Sequence, residues 1–195
     1  MKSLLLIIVA YLLGSVPFGD VIARVKGIDL TKVGSGNIGA TNVLRSVGRM
    51  AAILTLIGDI MKGSLAVAAA KYLVNDPVVE GIVGLAAIVG HDFSIFLRLK
   101  GGKGVATSIG VLLVYSPKAA VFTILLWLTV VVISRYSSLG ALVAFGLLPV
   151  AILVADPVRS KVIISVCIAV LVVLKHEANI RRLIKGIEPR VGEKV

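Results

Sequence analysis

Thirteen residues near the N-terminus, 33–45, combine residue types that bind anions. They read V-G-S-G-N-I-G-A-T-N-V-L-R and lie between two apolar stretches. Glycines let backbone N–H groups turn toward a common point, small polar side chains add hydrogen bonds, and arginine matches phosphate or carboxylate oxygens in bidentate fashion. The spacing predicts a phosphate site, whose candidate residues are Gly34, Ser35, Gly36, Asn37, Gly39, Thr41, Asn42 and Arg45.

The same glycines also spell G-x-G-x-x-G, the fingerprint of dinucleotide-binding proteins. That fingerprint belongs between a strand and a helix of a parallel sheet. Here the flanking segments are apolar runs of helix length, and short strands do not alternate with amphipathic helices. The context therefore excludes a dinucleotide fold.

A second segment rich in glycine and lysine, 98–108, reads R-L-K-G-G-K-G-V-A-T-S. It is not a nucleotide-binding P-loop, because Leu97 stands where G-x-x-x-x-G-K needs its first glycine and Gly104 stands at the Ser/Thr place. Lysines beside a helix start still favour negative charge. We interpret the segment as a second anion site, with a basic loop at the membrane interface as the alternative. Its candidate residues are Lys100, Gly101, Gly102, Lys103, Gly104 and Thr107.

The chain has two histidines, His91 and His176, which are candidates to accept a proton near neutral pH. The alternative is that each only hydrogen-bonds phosphate or backbone, while a substrate phosphate takes the proton. His176, Asn179 and Arg182 recur every three residues in the basic tail. That spacing favours one helix face for all three.

The composition is that of a membrane protein. Of 195 residues, 58% are hydrophobic and the mean hydropathy is +1.05, which suits about seven spans of ~20 residues. The net charge of +11 comes with only 5% aromatic residues, which argues against a nucleic-acid partner and for membrane orientation and anionic substrates. Cys167 is the only cysteine, so no disulfide framework or cysteine metal cluster exists, and we expect a buried, inert thiol.

We predict an all-α, polytopic membrane helical bundle that forms a single domain over 1–195. A stretch of 30 residues, 105–134, holds either one long span or two short ones. Two spans place fifteen of the 21 Lys and Arg on one side and five on the other, whereas one span gives ten against nine. The positive-inside rule favours two, with the N-terminus outside and the C-terminus in the cytoplasm. The seven spans are 3–23, 50–73, 78–97, 105–115, a fifth ending at Ser134, 139–155 and 158–174.

Two spans carry features that need partners inside the bundle. Gly14, Ser15, Pro17 and Gly19 interrupt the second half of the first span, where neighbouring helices or a cavity must satisfy the freed backbone groups. The alternative is an ordinary kink. The second span carries Asp59 and Lys62, three residues apart on one face. Because ionisable groups are costly at that depth, we expect this pair to face the interior, either as a structural ion pair or as part of a site.

Four segments expected on the cytoplasmic side carry a resemblance to one family. They are G-S-G-N-I-G-A-T-N-V-L-R at 34–45, G-H at 90–91 with K-G-G-K-G-V-A-T at 100–107, R-Y-x-S at 135–138, and K-H-x-x-N-I-x-R-L-x-x-G-x-E at 175–188. Over its whole length the chain resembles the bacterial acyl-phosphate glycerol-3-phosphate acyltransferases, the PlsY family. It departs from the family pattern at Lys175, where arginine is common, and at Ala178, where a polar residue is usual.

The resemblance implies transfer of a fatty acyl group from acyl phosphate to the 1-hydroxyl of sn-glycerol 3-phosphate. This is an early step of phospholipid biosynthesis, at the cytoplasmic face of the bacterial cytoplasmic (inner) membrane. The implied partners are the two substrates and membrane lipid, with no cofactor, metal, nucleic acid or obligate protein partner.

Roles follow from the same resemblance. Residues 35–37 and Arg45 are assigned to the phosphate and the developing oxyanion of the acyl donor. Lys103, Asn179 and Arg182 are assigned to glycerol phosphate, and Ser138 of the third motif is a further binding residue. Which phosphate binds where, and which group takes the proton, stay open. The candidate catalytic residues are Ser35, Arg45, His91, Lys103 and His176.

The acyl donor is also indicated by a motif that the chain lacks. Acyltransferases that use acyl-CoA or acyl carrier protein rely on H-x-x-x-x-D, whereas Phe96 and Arg181 stand at the fifth place after the two histidines. This chain should therefore not work as those enzymes do. Because its loops also lack features that recognise a nucleotide or a carrier protein, we expect activity with acyl phosphate and none with acyl-CoA.

Two other functions fit the sequence less well. A transporter for a small organic anion predicts an inverted repeat and charges at both mouths, but no repeat is visible and the polar groups cluster on one side. A metal-dependent membrane phosphotransferase needs clustered aspartates, but Asp20, Asp29, Asp59 and Asp92 stand far apart in the sequence.

Overall fold

A computed structural model of the chain describes residues 1–193, and within this range it is all-helical, with no strand. The predicted all-α class is thereby confirmed. Two 3-10 turns, Leu30–Lys32 and Ile95–Leu97, lie between the α-helices. The α-helices are α1 Lys2–Ser15, α2 Phe18–Val25, α3 Ala40–Ser46, α4 Arg49–Leu73, α5 Pro77–Asp92, α6 Val105–Tyr115, α7 Pro117–Ser134, α8 Ser137–Gly146, α9 Leu148–Ala155, α10 Arg159–Lys175 and α11 Glu177–Ile184.

Several of these helices are long and apolar enough to cross a membrane. Four segments meet the requirement: α1 and α2 taken together, α4 alone, α5 together with the 3-10 turn that follows it, and α7 alone. The number rises to six when each of two bent pairs counts as one span: α8 with α9, bent by 43°, and α10 with α11, bent by 59°. The predicted count of seven then depends on α6, which has only 11 residues.

The break between α1 and α2 occurs where the sequence predicts it. Pro17 has no N–H and restricts the backbone of the residue before it, so the helix ends at Ser15 and restarts at Phe18. The freed carbonyls find partners on other helices: the Val16 oxygen accepts from Lys62 Nζ at 3.1 Å, and the Ser15 oxygen accepts from Ser94 Oγ at 2.5 Å. Neighbouring side chains therefore satisfy this break, as the membrane interior demands.

Close helix contacts through glycine hold the centre of the bundle. A Cβ at Gly14 on α1 would overlap the backbone of Ala87 on α5, and a Cβ at Gly63 on α4 would overlap the backbone of Thr107 on α6. Small residues let helix backbones approach closely where no hydrophobic effect drives them together. These contacts fix α5 and α6, and with them the glycine-rich loop between the two helices.

Two expectations about detail are corrected. The first polar loop contains the two-turn helix α3, which the glycine-rich sequence does not suggest. Cys167, expected to be buried, is exposed on α10. It lies in a helix whose buried positions are Ile164, Ser165, Ile168, Ala169 and Val172, so it falls on the opposite face.

Candidate active site

One cavity of about 650 Å³ opens where the polar loops meet at one end of the bundle. The loop before α3 and α3 itself, the loop before α6, the start of α8 and the junction of α10 with α11 all contribute to its wall. All five candidate catalytic residues line it: Ser35, Arg45, His91, Lys103 and His176. Candidate binding residues that also line it are Asn37, Gly39, Thr41, Asn42, Gly104, Ser138, Asn179 and Arg182.

The other candidate binding residues lie behind or beside the wall. Lys100 is exposed, while Gly101 and Gly102 pack against the backbone and ring of His91. Thr107 is fully buried on α6, and its hydroxyl has no hydrogen-bond partner within residues 1–193. Gly34 and Gly36 have positive φ angles of 58° and 71° and shape the first loop.

Asn42 organises the first loop from within. Its buried Nδ2 donates to the carbonyl oxygens of Asn37 at 2.8 Å and Val33 at 3.2 Å, and its Oδ1 accepts from the Ser35 N–H at 2.9 Å. The N–H of Gly36 also bonds within the loop, to Val33, and that of Gly39 bonds to Asn37 Oδ1 at 2.8 Å. These three N–H groups are therefore bonded within the loop.

Arg45 reaches from α3 to the C-terminal segment, residues 186–193, which lies beside the cavity. Its Nη2 donates to the carbonyl oxygens of Pro189 at 3.0 Å and Arg190 at 3.2 Å. Its Nε is enclosed and lacks a partner in the described part of the chain. The guanidinium is thus held by backbone on one edge and has unused donor capacity on the other.

Glu188 is a site residue that the sequence reasoning did not select. Its Oε1 accepts from Ser138 Oγ and Asn179 Nδ2, both at 2.6 Å, and its Oε2 accepts from Arg182 Nε at 2.7 Å. Although burial opposes its charge, hydrogen bonds from these three residues hold the pKa of Glu188 below its usual value. The sequence feature that could have identified Glu188 is its position as the acidic residue at the end of the otherwise basic motif at 175–188. This carboxylate fixes three predicted binding side chains around one point.

Lys103 presents its ammonium group to the same cluster. Its Nζ donates to Asn179 Oδ1 at 2.5 Å. Burial lowers the pKa of Lys103 to about 8, with the nearby Glu188 carboxylate opposing the shift. The lysine is therefore charged at neutral pH, but only by a small margin.

His176 lies between α10 and α11 with its Nδ1 2.7 Å from the Val172 carbonyl oxygen. A carbonyl only accepts, so Nδ1 carries the proton and Nε2 keeps a free lone pair. Burial lowers the pKa of His176 to about 4, against the opposing effect of that hydrogen bond. The imidazole is thus a neutral hydrogen-bond acceptor facing the cavity, and a weak base.

The predicted pair of Asp59 and Lys62 lies at the inner side of the cavity. Asp59 Oδ1 and Lys62 Nζ are 2.8 Å apart, and the two residues are only 2% and 1% exposed. Asp59 also lines the cavity, whereas Lys62 lies behind it. The pair is therefore both a structural ion pair and, through Asp59, part of the site.

The remaining wall is apolar. It is formed by α4, α6, α7 and α8, and its side chains include Ile53, Leu56, Ile60, Ile109, Ile124, Trp127 and Phe145. Trp127 is held in place by a hydrogen bond of 3.2 Å from its Nε1 to the Ser137 carbonyl oxygen. Within residues 1–193 there is no group of three or more His, Cys, Asp or Glu side chains placed to hold a metal ion. The cavity thus joins a cationic, hydrogen-bonding end to an apolar compartment.

Comparison with known proteins places this architecture in a family. The model of the glycerol-3-phosphate acyltransferase family matches residues 4–186. The chain belongs to this family. The family member of Desulforamulus reducens is 46% identical over 193 residues, which cover 98% of this chain and 96% of the relative. That of Aquifex aeolicus is 42% identical over 191 residues, which cover 97% and 100%.

Two solved structures extend the likeness of this acyltransferase to three dimensions. The crystal structure of PlsY (YgiH), an integral membrane glycerol 3-phosphate acyltransferase, in its glycerol 3-phosphate form matches with a TM-score of 0.94 at 41% identity, over 98% of this chain and 96% of that chain. The lysophosphatidic acid form matches with a TM-score of 0.91 at 40% identity, over 97% and 95%. The resemblance found in the four sequence motifs is confirmed.

Proposed function

We propose that this acyltransferase moves a fatty acyl group from acyl phosphate to the 1-hydroxyl of sn-glycerol 3-phosphate, giving 1-acyl-sn-glycerol 3-phosphate and phosphate. The observation that carries the proposal is the two-part cavity. Four cationic side chains, Arg45, Arg49, Lys103 and Arg182, line the cavity, and apolar side chains of four helices line the rest. This matches two substrates that both carry phosphate, one of which also carries a lipid chain.

We assign the polar end of the cavity to two phosphates. Arg45 and Ser35 take the donor phosphate and the oxyanion that develops on the acyl carbonyl. Lys103, Asn179 and Arg182 take the glycerol phosphate. Arg182 uses only Nε on Glu188, so its terminal amino groups are left to bind phosphate oxygens. Glu188 thereby orients these donors before substrate arrives, which lowers the cost of binding.

The reaction needs little chemistry from the protein because acyl phosphate is already activated. The hydroxyl oxygen forms a bond to the acyl carbon, the bond between that carbon and the phosphate oxygen breaks, and the phosphate leaves with the electron pair. His176 Nε2 accepts the hydroxyl hydrogen bond and orients the attack. Since the pKa of His176 is only about 4, the departing phosphate is the stronger base, and the proton ends on it. Positioning and charge stabilisation supply the catalysis.

The experiment that tests this function is phosphate release by purified protein. Palmitoyl phosphate together with glycerol 3-phosphate should give phosphate and acylated glycerol phosphate in equal amounts, and omission of glycerol 3-phosphate should abolish acyl transfer. Palmitoyl-CoA should not replace palmitoyl phosphate. Equal turnover of palmitoyl-CoA would overturn the assignment of the donor.

The lowered pKa of Lys103 predicts an alkaline limit to activity. The ammonium is present below its pKa and is lost as pH rises through about 8, so kcat/KM for glycerol 3-phosphate should fall by about tenfold per pH unit above that value. The phosphate group of glycerol 3-phosphate is already fully ionised above about pH 8, so its own titration does not contribute to this fall. Lys103→Arg should move this limb beyond pH 10, because arginine keeps its proton. A wild-type profile that stays flat to pH 10 would contradict the role of Lys103.

Orientation in the membrane is also part of the proposal, with the site at the cytoplasmic face, the N-terminus outside and the C-terminus inside. In a Cys167→Ser background, cysteines at the exposed positions Lys26, Lys100 and Lys185 should resist an impermeant thiol reagent in intact cells. Cysteines at the exposed positions Lys118 and Pro157 should react. Labelling of 100 and 185 from opposite sides would contradict seven spans.

A further inference from the structure

Lys62 is the largest fully buried side chain of α4, and its ammonium group has three partners. Its Nζ lies 2.7 Å from His91 Nδ1, 2.8 Å from Asp59 Oδ1 and 3.1 Å from the Val16 carbonyl oxygen. An ammonium group has three N–H donors and no lone pair. Two of its donors are assigned to His91 Nδ1 and the Val16 carbonyl oxygen, while Asp59 on the same helix is its ion-pair partner.

This arrangement decides the protonation of His91. Because Lys62 can only donate, His91 Nδ1 must accept, and the proton of the neutral imidazole lies on Nε2. The Asp59 carboxylate is farther from Nδ1, at 3.5 Å, than the ammonium group is. His91 thus holds the tautomer opposite to that of His176, whose Nδ1 faces a carbonyl oxygen.

The Nε2–H of His91 is directed to the second glycine-rich loop. A Cβ at Gly102 would overlap Nε2, and the Gly102 N–H donates to the His91 carbonyl oxygen at 3.0 Å. The ring lines the cavity, and no described residue accepts from Nε2. One residue along the loop from Gly102, the Lys103 ammonium group lies in the proposed glycerol phosphate site. His91 therefore offers a hydrogen-bond donor to the same cavity that Lys103 lines.

We propose that Lys62 is a positioning residue that fixes the tautomer of His91, so that His91 Nε2–H donates to an oxygen of the glycerol phosphate. The proposal rests on the proposed function for the identity of the ligand. Lys62 itself does not line the cavity and acts only through His91. The site then holds two neutral imidazoles with opposite tasks: His91 donates to phosphate, and His176 accepts from the hydroxyl.

The tautomers are directly measurable, because the chain contains two histidines. Nitrogen NMR of histidine-labelled protein in detergent should show one Nε2–H imidazole and one Nδ1–H imidazole, and a His176→Gln variant should leave the Nε2–H form. Addition of glycerol 3-phosphate should shift the His91 Nε2–H signal. An Nδ1–H tautomer for His91, or a signal that glycerol 3-phosphate does not move, would overturn the proposal.

Variants of Lys62 separate positioning from mere packing. Lys62→Met leaves Asp59 as the nearest partner of Nδ1, so the His91 tautomer should switch to Nδ1–H and affinity for glycerol 3-phosphate should fall about tenfold. Lys62→Gln keeps a donor and should keep the wild-type tautomer, with affinity within about threefold. Lys62→Met leaves the Asp59 carboxylate buried without its partner and could prevent folding. In that case the double variant Asp59→Leu/Lys62→Met, which removes both charges, is used instead. In this variant His91 should lose its preference for one tautomer.

Lys161→Met is the matched control. Lys161 also pairs with an aspartate, Asp156 at 2.5 Å, but it lies near the opposite end of α10 from His176. Its replacement should alter neither the His91 signal nor affinity for glycerol 3-phosphate. An unchanged His91 signal in every folded Lys62 variant would exclude the role of Lys62. The NMR readout is independent of the acyl donor, so a failed acyl transfer assay with an intact glycerol 3-phosphate shift would count against the proposed function alone.

Discussion

Replacing Arg45 with lysine is expected to lower kcat/KM for acyl transfer by about tenfold to a hundredfold. Lysine keeps the charge but loses the planar fork, so it cannot hold a phosphate through two parallel N–H bonds. In the structure Nη2 is already used by Pro189 and Arg190, while Nε has no partner within residues 1–193. A charge-assisted hydrogen bond contributes ~1.5 to 3 kcal/mol, and each 1.4 kcal/mol is tenfold. Arg45→Ala should cost more.

The matched control for this substitution is Arg181→Lys. Arg181 is largely exposed on α11, does not line the cavity, and pairs with Glu177 four residues away. A point charge suffices there, so activity should stay within about twofold of wild type. Steady-state kinetics on both variants, with folded yield checked by chromatography in detergent, test whether Arg45 binds the donor phosphate. If Arg45→Lys were as active as Arg181→Lys, the donor phosphate would bind elsewhere.

Much of the fold follows from sequence alone because membrane segments are governed by few rules. Apolar length and charge asymmetry define α4 and α10 to within one residue, and the predicted end of α7 at Ser134 and the bounds of α6, 105–115, are matched. Pro17 and its small neighbours correctly locate the break in the first span. In such segments each backbone group must be satisfied within the helix, so composition nearly determines structure.

The first polar loop was harder to predict, because its hydrogen bonds join residues that are separated by short but irregular numbers of positions along the sequence. The glycines at 34, 36 and 39 correctly indicate a loop against the site, but not that Asn42 and Asn37 use its N–H groups. A pattern of glycines shows which conformations are open to the backbone, and does not show which side chain turns inward. The hydrogen bonds within this loop therefore could not be predicted from its glycines.

Glu188 and the histidine tautomers depend on contacts between distant segments. Glu188 joins α8 to α11 through Ser138 and Asn179, and Lys62 meets His91 across 29 positions of sequence. Periodicity within one helix carries no information on such partners. The sequence could name His91 and His176 as candidates, but only their neighbours separate a donor from an acceptor.

Substituting Gly102 with alanine is expected to lower kcat/KM by about a hundredfold, because the substitution moves Lys103 rather than removing it. The new Cβ would overlap His91 Nε2 and lie 2.7 and 2.8 Å from two ring carbons. The ring cannot yield freely, since Lys62 holds its Nδ1 at 2.7 Å. The loop must therefore shift and carry the Lys103 ammonium group away from Asn179. Such overpacking costs ~1 to 3 kcal/mol of stability.

Gly146→Ala and a double-mutant cycle test this explanation. A Cβ at Gly146 meets no atom within 4 Å, and Gly146 does not line the cavity, so that variant should keep activity within about twofold. In a His91→Ala background the ring is absent, so adding Gly102→Ala should no longer lower the unfolding temperature in detergent. The coupling free energy between the two substitutions then measures the steric overlap between the new Cβ at position 102 and the ring of His91. If Gly102→Ala kept wild-type kcat/KM, the position of Lys103 would not depend on the packing of this loop against His91.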